Sequence, residues 1–567
     1  MCNRAYARPA TAILLLAATT AWSARALSAP ASAAAAASPS VAAAPEAGTL
    51  EPIPSDAELE QSGAVIGAIL VDNQNIFDPQ DPREDHKIFR LANRLHVKTR
   101  AYVIRQQLLF RPGERFSRRL LEESARILRS DRYFYDAWIE SVRYHDGQVD
   151  VRITTRDVWT LNPGVSFGRS GGKNTSGFEL EELNILGTGA QVSLSHKTSI
   201  DRTSDVVSAG DQHAFGTWTS VFGEYSRNSD GYLRQLTIDH PFYALDVRYA
   251  GGLALFNDEQ IDSLYDRGQI IDQFRDHRKY ASGYLGLSQG LRDGWVRRWS
   301  FGVTSDEHVF APAPGSTGVT AIPENRKFVY PWVQLNLIQD DFRKYRNHDQ
   351  IQRTEDFYVG TTASVRLGWA DSSFGSSRSA LLFQGTAGQS MGDTDHNTVL
   401  FAQSFSGRVE DGTLRNGVLD ANVRYYARQS SKWLFFSTLD ATVGHNLDLD
   451  NQMLLGGDNG LRGYPLRYQG GDARALFTVE QRYFTDWYPF RLFRVGGAVF
   501  FDAGRTWGHA PLAASNLGLL KDAGFGLRFG NARSGLGNII HVDVAFPFDG
   551  DNSIKRVQFL VQTKQSF

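Results

Sequence analysis

Arg462 stands in a glycine-bracketed stretch, Leu454 to Gly471 (LLGGDNGLRGYPLRYQGG), with Leu461-Arg462-Gly463-Tyr464 near its middle. The pairs Gly456–Gly457 and Gly470–Gly471 let a backbone bend sharply and pass close to other structure. A guanidinium between them offers a planar fork of donors that suits a carboxylate. Two carboxylates follow. In Ala475–Phe484, Phe477, Val479 and Tyr483 share one face of an alternating segment, and Thr478, Glu480 and Arg482 share the other. In Val495–Gly504, Val495, Gly497, Val499 and Phe501 oppose Gly496, Ala498, Asp502 and Gly504. Both acids thus lie on a polar face. The chemistry on offer is an ion pair that fixes a loop.

Bond-making chemistry has little support. Gly286-Leu287-Ser288-Gln289-Gly290 matches G-x-S-x-G, but a nucleophile elbow needs a strand before it and a helix after it. Here it closes one β segment, Lys279–Leu287, and precedes another. The 13 histidines show no H-E-x-x-H or other metal spacing, and no phosphate-binding G-x-x-x-x-G-K-[ST] occurs. Asp448 and Asp450 read as a solvated acidic loop before they read as a cation site. The only cysteine is Cys2. No enzyme, cofactor or metal is expected.

The loop and its two acids carry a resemblance. An RG-aromatic tip, then an E-x-R strand, then Phe501-Asp502-Ala503-Gly504, resembles the signature of the BamA/TamA family of outer-membrane assembly barrels, with Leu461 where Val or Ile is more usual. The resemblance implies that the loop folds back into a barrel, where Arg462 meets Asp502 and Glu480 on the inner wall, across from a weakly paired seam between first and last strands. Those strands would lie near Gly164–Arg169 and Val557–Phe567, with Gly168, Gly171 and Gly172 offering few side chains to hold the seam.

The elements that must position this loop are mostly strands. Residues 1–26 read as a signal peptide, with Arg4 and Arg8 before the apolar run Ala12–Ala21. An Ala/Ser/Pro-rich lead-in, residues 27–62, is expected to be disordered and too short to carry a catalytic passenger. Residues 63–157 read as strand (Ala64–Val71), helix (Arg100–Leu109), helix capped by Ser117, and two strands (Ala137–Tyr144 and Gln148–Thr155) joined at Asp146-Gly147. That order, with Arg111-Pro112-Gly113-Glu114-Arg115-Phe116 before the second helix, resembles a single POTRA (polypeptide-transport-associated) domain, with Asp78–His96 as an insertion.

From residue 158 to 567 the chain alternates without helical periodicity. Leu245–Leu255, Tyr358–Trp369, Ala523–Phe529 and Ile540–Phe548 each set apolar residues on one face. Val557, Phe559 and Val561 continue this, and an aromatic Phe567 at the end resembles the recognition signal of outer-membrane barrels. With 53 glycines and 12% aromatics and a negative mean hydropathy, the expected fold is mainly β: a transmembrane antiparallel barrel after one small α+β domain. Segment counting gives about fifteen strands before the glycine-bracketed loop and five after it, whereas the resemblance favours sixteen in all. Asn257–Asp276 and Ala311–Asn325 read as long outer loops.

A formal net charge of −2 gives no basic excess, so nucleic acid is not an expected partner. The resemblance implies a Gram-negative outer membrane, with the POTRA-like domain in the periplasm. It also implies outer-membrane lipid and an unfolded outer-membrane or secreted client as partners, with room for periplasmic or inner-membrane accessory subunits. The alternatives are a dedicated two-partner-type secretion pore and a passive channel without a client.

Overall fold

A capping box opens the folded chain. Ser55 Oγ accepts from Glu58 N, and the Glu58 carboxylate accepts from Ser55 N at 2.7 Å, starting helix α1 (Asp56–Ser62). Gly63, at φ 69°, ends it in the left-handed conformation, and Leu59 is fully buried. The last part of the lead-in is therefore ordered, which corrects the expectation for 27–62. In the computed structural model the described residues are 52–315, 321–392, 396–508, 517–535, 538–564 and 566–567. The signal-peptide reading and the rest of the lead-in lie outside them.

The α+β unit continues with β1 (Val65–Gln74), α2 (Lys87–Leu95), α3 (Ala101–Gln106), α4 (Arg118–Ser130), β2 (Phe134–His145) and β3 (Gln148–Asp157). The sheet order is β1-β3-β2, with β1 parallel and β2 antiparallel to β3. Asp146 and Gly147 both have positive φ, the geometry of a tight two-residue hairpin. Leu59, Ile66, Phe116, Leu121, Val149 and Val151 form one half of the core, and Val103, Ile104, Leu128, Phe134 and Ile153 the other. β2 is left as an edge strand. The insertion Asp78–His96 carries α2.

Twenty strands between Leu161 and Lys564 then close into one antiparallel barrel. Fifteen precede the glycine-bracketed loop and five follow it, as the segment count had it; the sixteen drawn from the resemblance falls four short. Outward positions are apolar and exposed, as at Val165, Leu285, Val499 and Phe559. Inward positions hold buried polar groups, as at Thr478, Glu480, Asp502, Arg528 and His541. A closed wall with an apolar exterior is what lipid requires, because unpaired backbone groups are costly in hydrocarbon. No helix among the described residues is long and apolar enough to cross a membrane.

Three expected segments differ in detail. Leu245 is buried beneath the α+β unit, and its strand begins only at Tyr249. Asn257–Asp276 is no loop: strands Tyr249–Asp266 and Gln269–Arg292 run through it to a tip at Arg267-Gly268. About 10 residues cross a membrane, so these strands of 18 and 24 residues stand well beyond it. Tyr358–Trp369 is split: Glu355–Tyr358 pairs with Phe342–Tyr345 in a separate hairpin, and the wall strand is Thr362–Ala370.

Candidate functional site

The loop after strand Trp433–His445 narrows at a short ladder, Met453–Leu455 against Gln469–Gly471. The glycines there are steric requirements. A Cβ on Gly456 would lie 2.5 Å from Arg467 N, one on Gly457 2.4 Å from Tyr464 O, and one on Gly471 2.2 Å from Trp507 O. Beyond the neck the chain turns inside the barrel, where Leu461 and Tyr464 are fully buried with Leu455, Leu476 and Leu520. Gly463 passes so close to the wall that a Cβ would meet Asp522 Cβ at 2.7 Å, and Gly504 leaves room for Leu455.

Arg462 is gripped at this tip. Its Nε and Nη2 donate to the two oxygens of Asp502 at 2.7 and 2.8 Å, and Nη1 donates to Glu480 Oε1 at 2.8 Å. Phe500 lies beneath the guanidinium, 3.4 Å from ring centroid to Cζ. Thr478 Oγ1 donates to Asp502 at 2.8 Å, and Arg482 Nε donates to the second Glu480 oxygen at 2.9 Å. Tyr464 Oη donates to Lys521 O at 2.7 Å. The loop arginine and the two acids on the polar strand faces therefore meet, in a buried pocket where breaking one partner strands a charge.

Two things extend this cluster beyond what the sequence suggested. First, the loop reaches the seam instead of lying only across from it: Ser170 Oγ donates to Gly457 O at 2.7 Å, and Leu466 N would be 2.4 Å from a Cβ on Gly171. Second, the far side of Arg482 leads to a plug. Between Arg326–Gln339 and Thr362–Ala370, the hairpin Phe342–Tyr345/Glu355–Tyr358 sends residues 346–354 into the lumen. Ile351 packs there with Tyr426, Phe484, Ile539 and Phe567. Arg482 Nη1 donates to His348 O at 2.9 Å, and Glu355 accepts from His348 N and Asp349 N at 2.9 and 2.8 Å, closing the turn.

The α+β unit holds the plug from outside. Arg129 pairs both oxygens of Asp356 at 2.6 and 2.7 Å, Thr354 Oγ1 donates to Asp136 at 2.8 Å, and Tyr135 Oη donates to Gln352 O at 3.0 Å. The opposite mouth is also covered. Gly268 N, at the tip of the long hairpin, donates to Arg467 O at 3.0 Å, Arg467 pairs with Asp201 at 2.8 and 2.9 Å, and Gln452 exchanges hydrogen bonds with the Tyr265 backbone. Asp448 and Asp450 are taken up by Arg408 and Arg326.

The seam is the weak joint of the wall. Strand Gln558–Lys564 pairs along its length with Ile539–Ala545, and Leu161–Ser170 pairs along its length with Lys173–Glu182. Yet among the described residues the two share a single ladder pair, Val561 opposite Arg169, and one side-chain hydrogen bond, from Gln562 Nε2 to Ser170 Oγ at 3.2 Å. Val557 and Phe559 face outward. Phe567 does not continue them: its N donates to Asp349 O at 2.8 Å and its ring packs on Phe484 inside the lumen.

Solved structures similar to this chain are BamA and CdiB barrels. BamA from Haemophilus ducreyi lacking POTRA domains 1–3 is 14% identical, with a TM-score of 0.41 over 88% of this chain and 85% of that one. CdiB from Acinetobacter baumannii is 12% identical, with a TM-score of 0.44 over 89% and 74%. CdiB from Escherichia coli is 13% identical, with a TM-score of 0.43 over 89% and 77%. No protein-family model matches the chain, and no curated protein sequence does.

Proposed function

We propose that this protein is an outer-membrane assembly or translocation factor that takes a client from the periplasm through its α+β, POTRA-like domain and inserts or exports it through the barrel. The observation that carries the reading is the seam, whose ladder is one residue pair long beside full-length ladders. An unpaired strand edge is a template for another strand. Leu161–Gly168 offers such an edge next to a loop held in place by Arg462.

Capture begins on β2, the edge strand of the small sheet. Trp138 on that edge is partly exposed, beside a cavity of about 460 Å³ lined by Leu121, Trp138, Ser141 and Lys344. A client segment adds there as a strand, its backbone supplying the affinity. The lumen is covered at both mouths, by the plug hairpin and by the long outer hairpin, which favours a gated machine over a passive channel.

Photocrosslinking in cells, with probes at Trp138 and Phe559, tests this. Adducts from both sites with unfolded outer-membrane proteins support insertion, and adducts with one secreted product support dedicated export. Absence of protein adducts from either site, together with steady ion conductance of the purified barrel, overturns the reading in favour of a pore.

A further inference from the structure

The insertion helix α2 has its hydrophobic stripe on the wrong side for a core. Phe89 and Asn93 face the domain: Phe89 stacks on Phe77 at 4.2 Å, and Asn93 exchanges hydrogen bonds with the Phe77 backbone at 2.8 and 3.1 Å. Ile88, Leu91 and Leu95 form the opposite stripe and are 69%, 52% and 64% exposed. Lys87, Arg90 and Arg94 flank that stripe, and Lys98 and Arg100 follow it.

Both ends of the helix are tied to the barrel rim, on either side of the seam. Before it, Glu84 pairs with Arg156 at 3.1 Å and with Arg533, which lies in the turn after strand Leu520–Asn531. After it, Arg100 N donates to Gly187 O and Arg100 Nε to Leu186 O, both at 3.0 Å, in the turn after Lys173–Glu182. Between those turns lie Ile539–Pro547, Gln558–Lys564, Leu161–Ser170 and Lys173–Glu182. The two turns lie four strand spacings apart, ~19 Å at ~4.8 Å each, a span covered by the nine-residue helix, ~14 Å long at ~1.5 Å per residue, and its flanking residues between Glu84 and Arg100. The helix runs beneath the seam.

The same rim presents further apolar side chains. Leu186 and Phe490 adopt φ of 50° and 55°, a left-handed conformation that residues with side chains rarely take. Both are exposed, as is Trp487. They add exposed apolar side chains in rim turns on either side of the seam, Leu186 in the turn to which Arg100 is tied and the other two in the next turn along the rim from that of Arg533.

We propose that α2 is an interfacial anchor, its Ile88–Leu91–Leu95 stripe seated among the acyl chains of the periplasmic leaflet and its basic flank against phospholipid phosphates. Apolar burial with cationic flanks is how a helix lies in a membrane surface. This rests on reading the barrel as membrane-embedded. The anchor fixes the α+β unit under the seam, where a client would leave the wall.

Depth-dependent fluorescence quenching on the full chain tests it. In a Cys2→Ser background, Leu91→Cys, Leu95→Cys, Val499→Cys and Glu140→Cys carry an environment-sensitive dye in phosphatidylethanolamine/phosphatidylglycerol vesicles containing doxyl-labelled lipid. The expected result is quenching at Leu91 and Leu95 within about twofold of that at Val499, with little at Glu140. Lys87→Glu with Arg94→Glu then lowers the Leu95 signal several-fold, and unchanged quenching there overturns the phosphate assignment. Quenching at Val499 with none at Leu91 and Leu95 overturns the anchor and leaves the barrel reading standing. No quenching at Val499 removes both.

Discussion

Arg462 satisfies two acids at once, so its loss leaves charge buried on the wall. Glu480 keeps Arg482 and Asp502 keeps Thr478, but the loop loses its only tie to either acid at the tip. Removing one partner of a buried pair costs about 3–5 kcal/mol. Arg462→Ala is expected to expose the 454–471 loop to protease while the barrel still inserts and stays heat-modifiable on gels. Equal protease resistance of variant and wild type would contradict this. Arg462→Lys is expected to rescue little, because an ammonium cannot pair two oxygens side by side. A second residue-scale expectation concerns Asp131, buried at the C-terminal end of α4 near Tyr133 and Gln107; burial pushes its carboxyl up to about 7 from 3.8. A raised carboxyl lends most stability below its unfolded value and loses it as pH rises through about 7. Asp131→Asn should therefore slow hydrogen exchange in β2 and β3 above pH 7 and change little near pH 4. Strand parity puts Glu480 and Asp502 on polar faces, and the resemblance carried by the RG-aromatic loop and the two strands after it supplies their pairing with Arg462. The onward link through Arg482 to His348 was not legible, since residues so far apart in sequence meet only through barrel closure.

The strands announce themselves by period two, and the elements that fill the barrel do not. Phe342–Tyr345 and Glu355–Tyr358 are four residues each, too short for alternation to separate them from the wall strand that follows. α1 hides for a similar reason: it buries only Leu59, and its signal is the Ser55–Glu58 box followed by Gly63. The outer extension of Tyr249–Arg292 reads as loop in the sequence because its far half is charged, as befits strands that have left lipid. Replacing residues 344–356 by a short Gly-Ser linker is expected to leave the wall folded and raise single-channel conductance several-fold. Conductance unchanged from wild type would mean the lumen is closed elsewhere. Arg129→Ala, which cuts the grip on Asp356, should raise the frequency of brief openings without changing their size.

At the scale of the whole molecule, the proposed function requires the wall to part at one place. Val561 and Arg169 are the single opposed pair across the seam, and opposed antiparallel residues sit ~4.5–5.5 Å apart at Cα, within the ~4.4–6.8 Å range of a disulfide. Val561→Cys with Arg169→Cys, in a Cys2→Ser background, is expected to abolish client handling under oxidation and restore it on reduction; activity retained with the bond formed would exclude lateral opening. Strand number has its own geometrical consequence. Twenty strands ~4.8 Å apart and tilted ~40° enclose a ring of radius ~20 Å, and cross-section grows as the square of strand number, so this ring has roughly 1.6 times the area of a sixteen-stranded one. An inward loop anchored to one arc of such a ring leaves much of the opening unspanned. A second filler from the opposite mouth is then a matter of area, and the 342–358 hairpin occupies the space that four extra strands create.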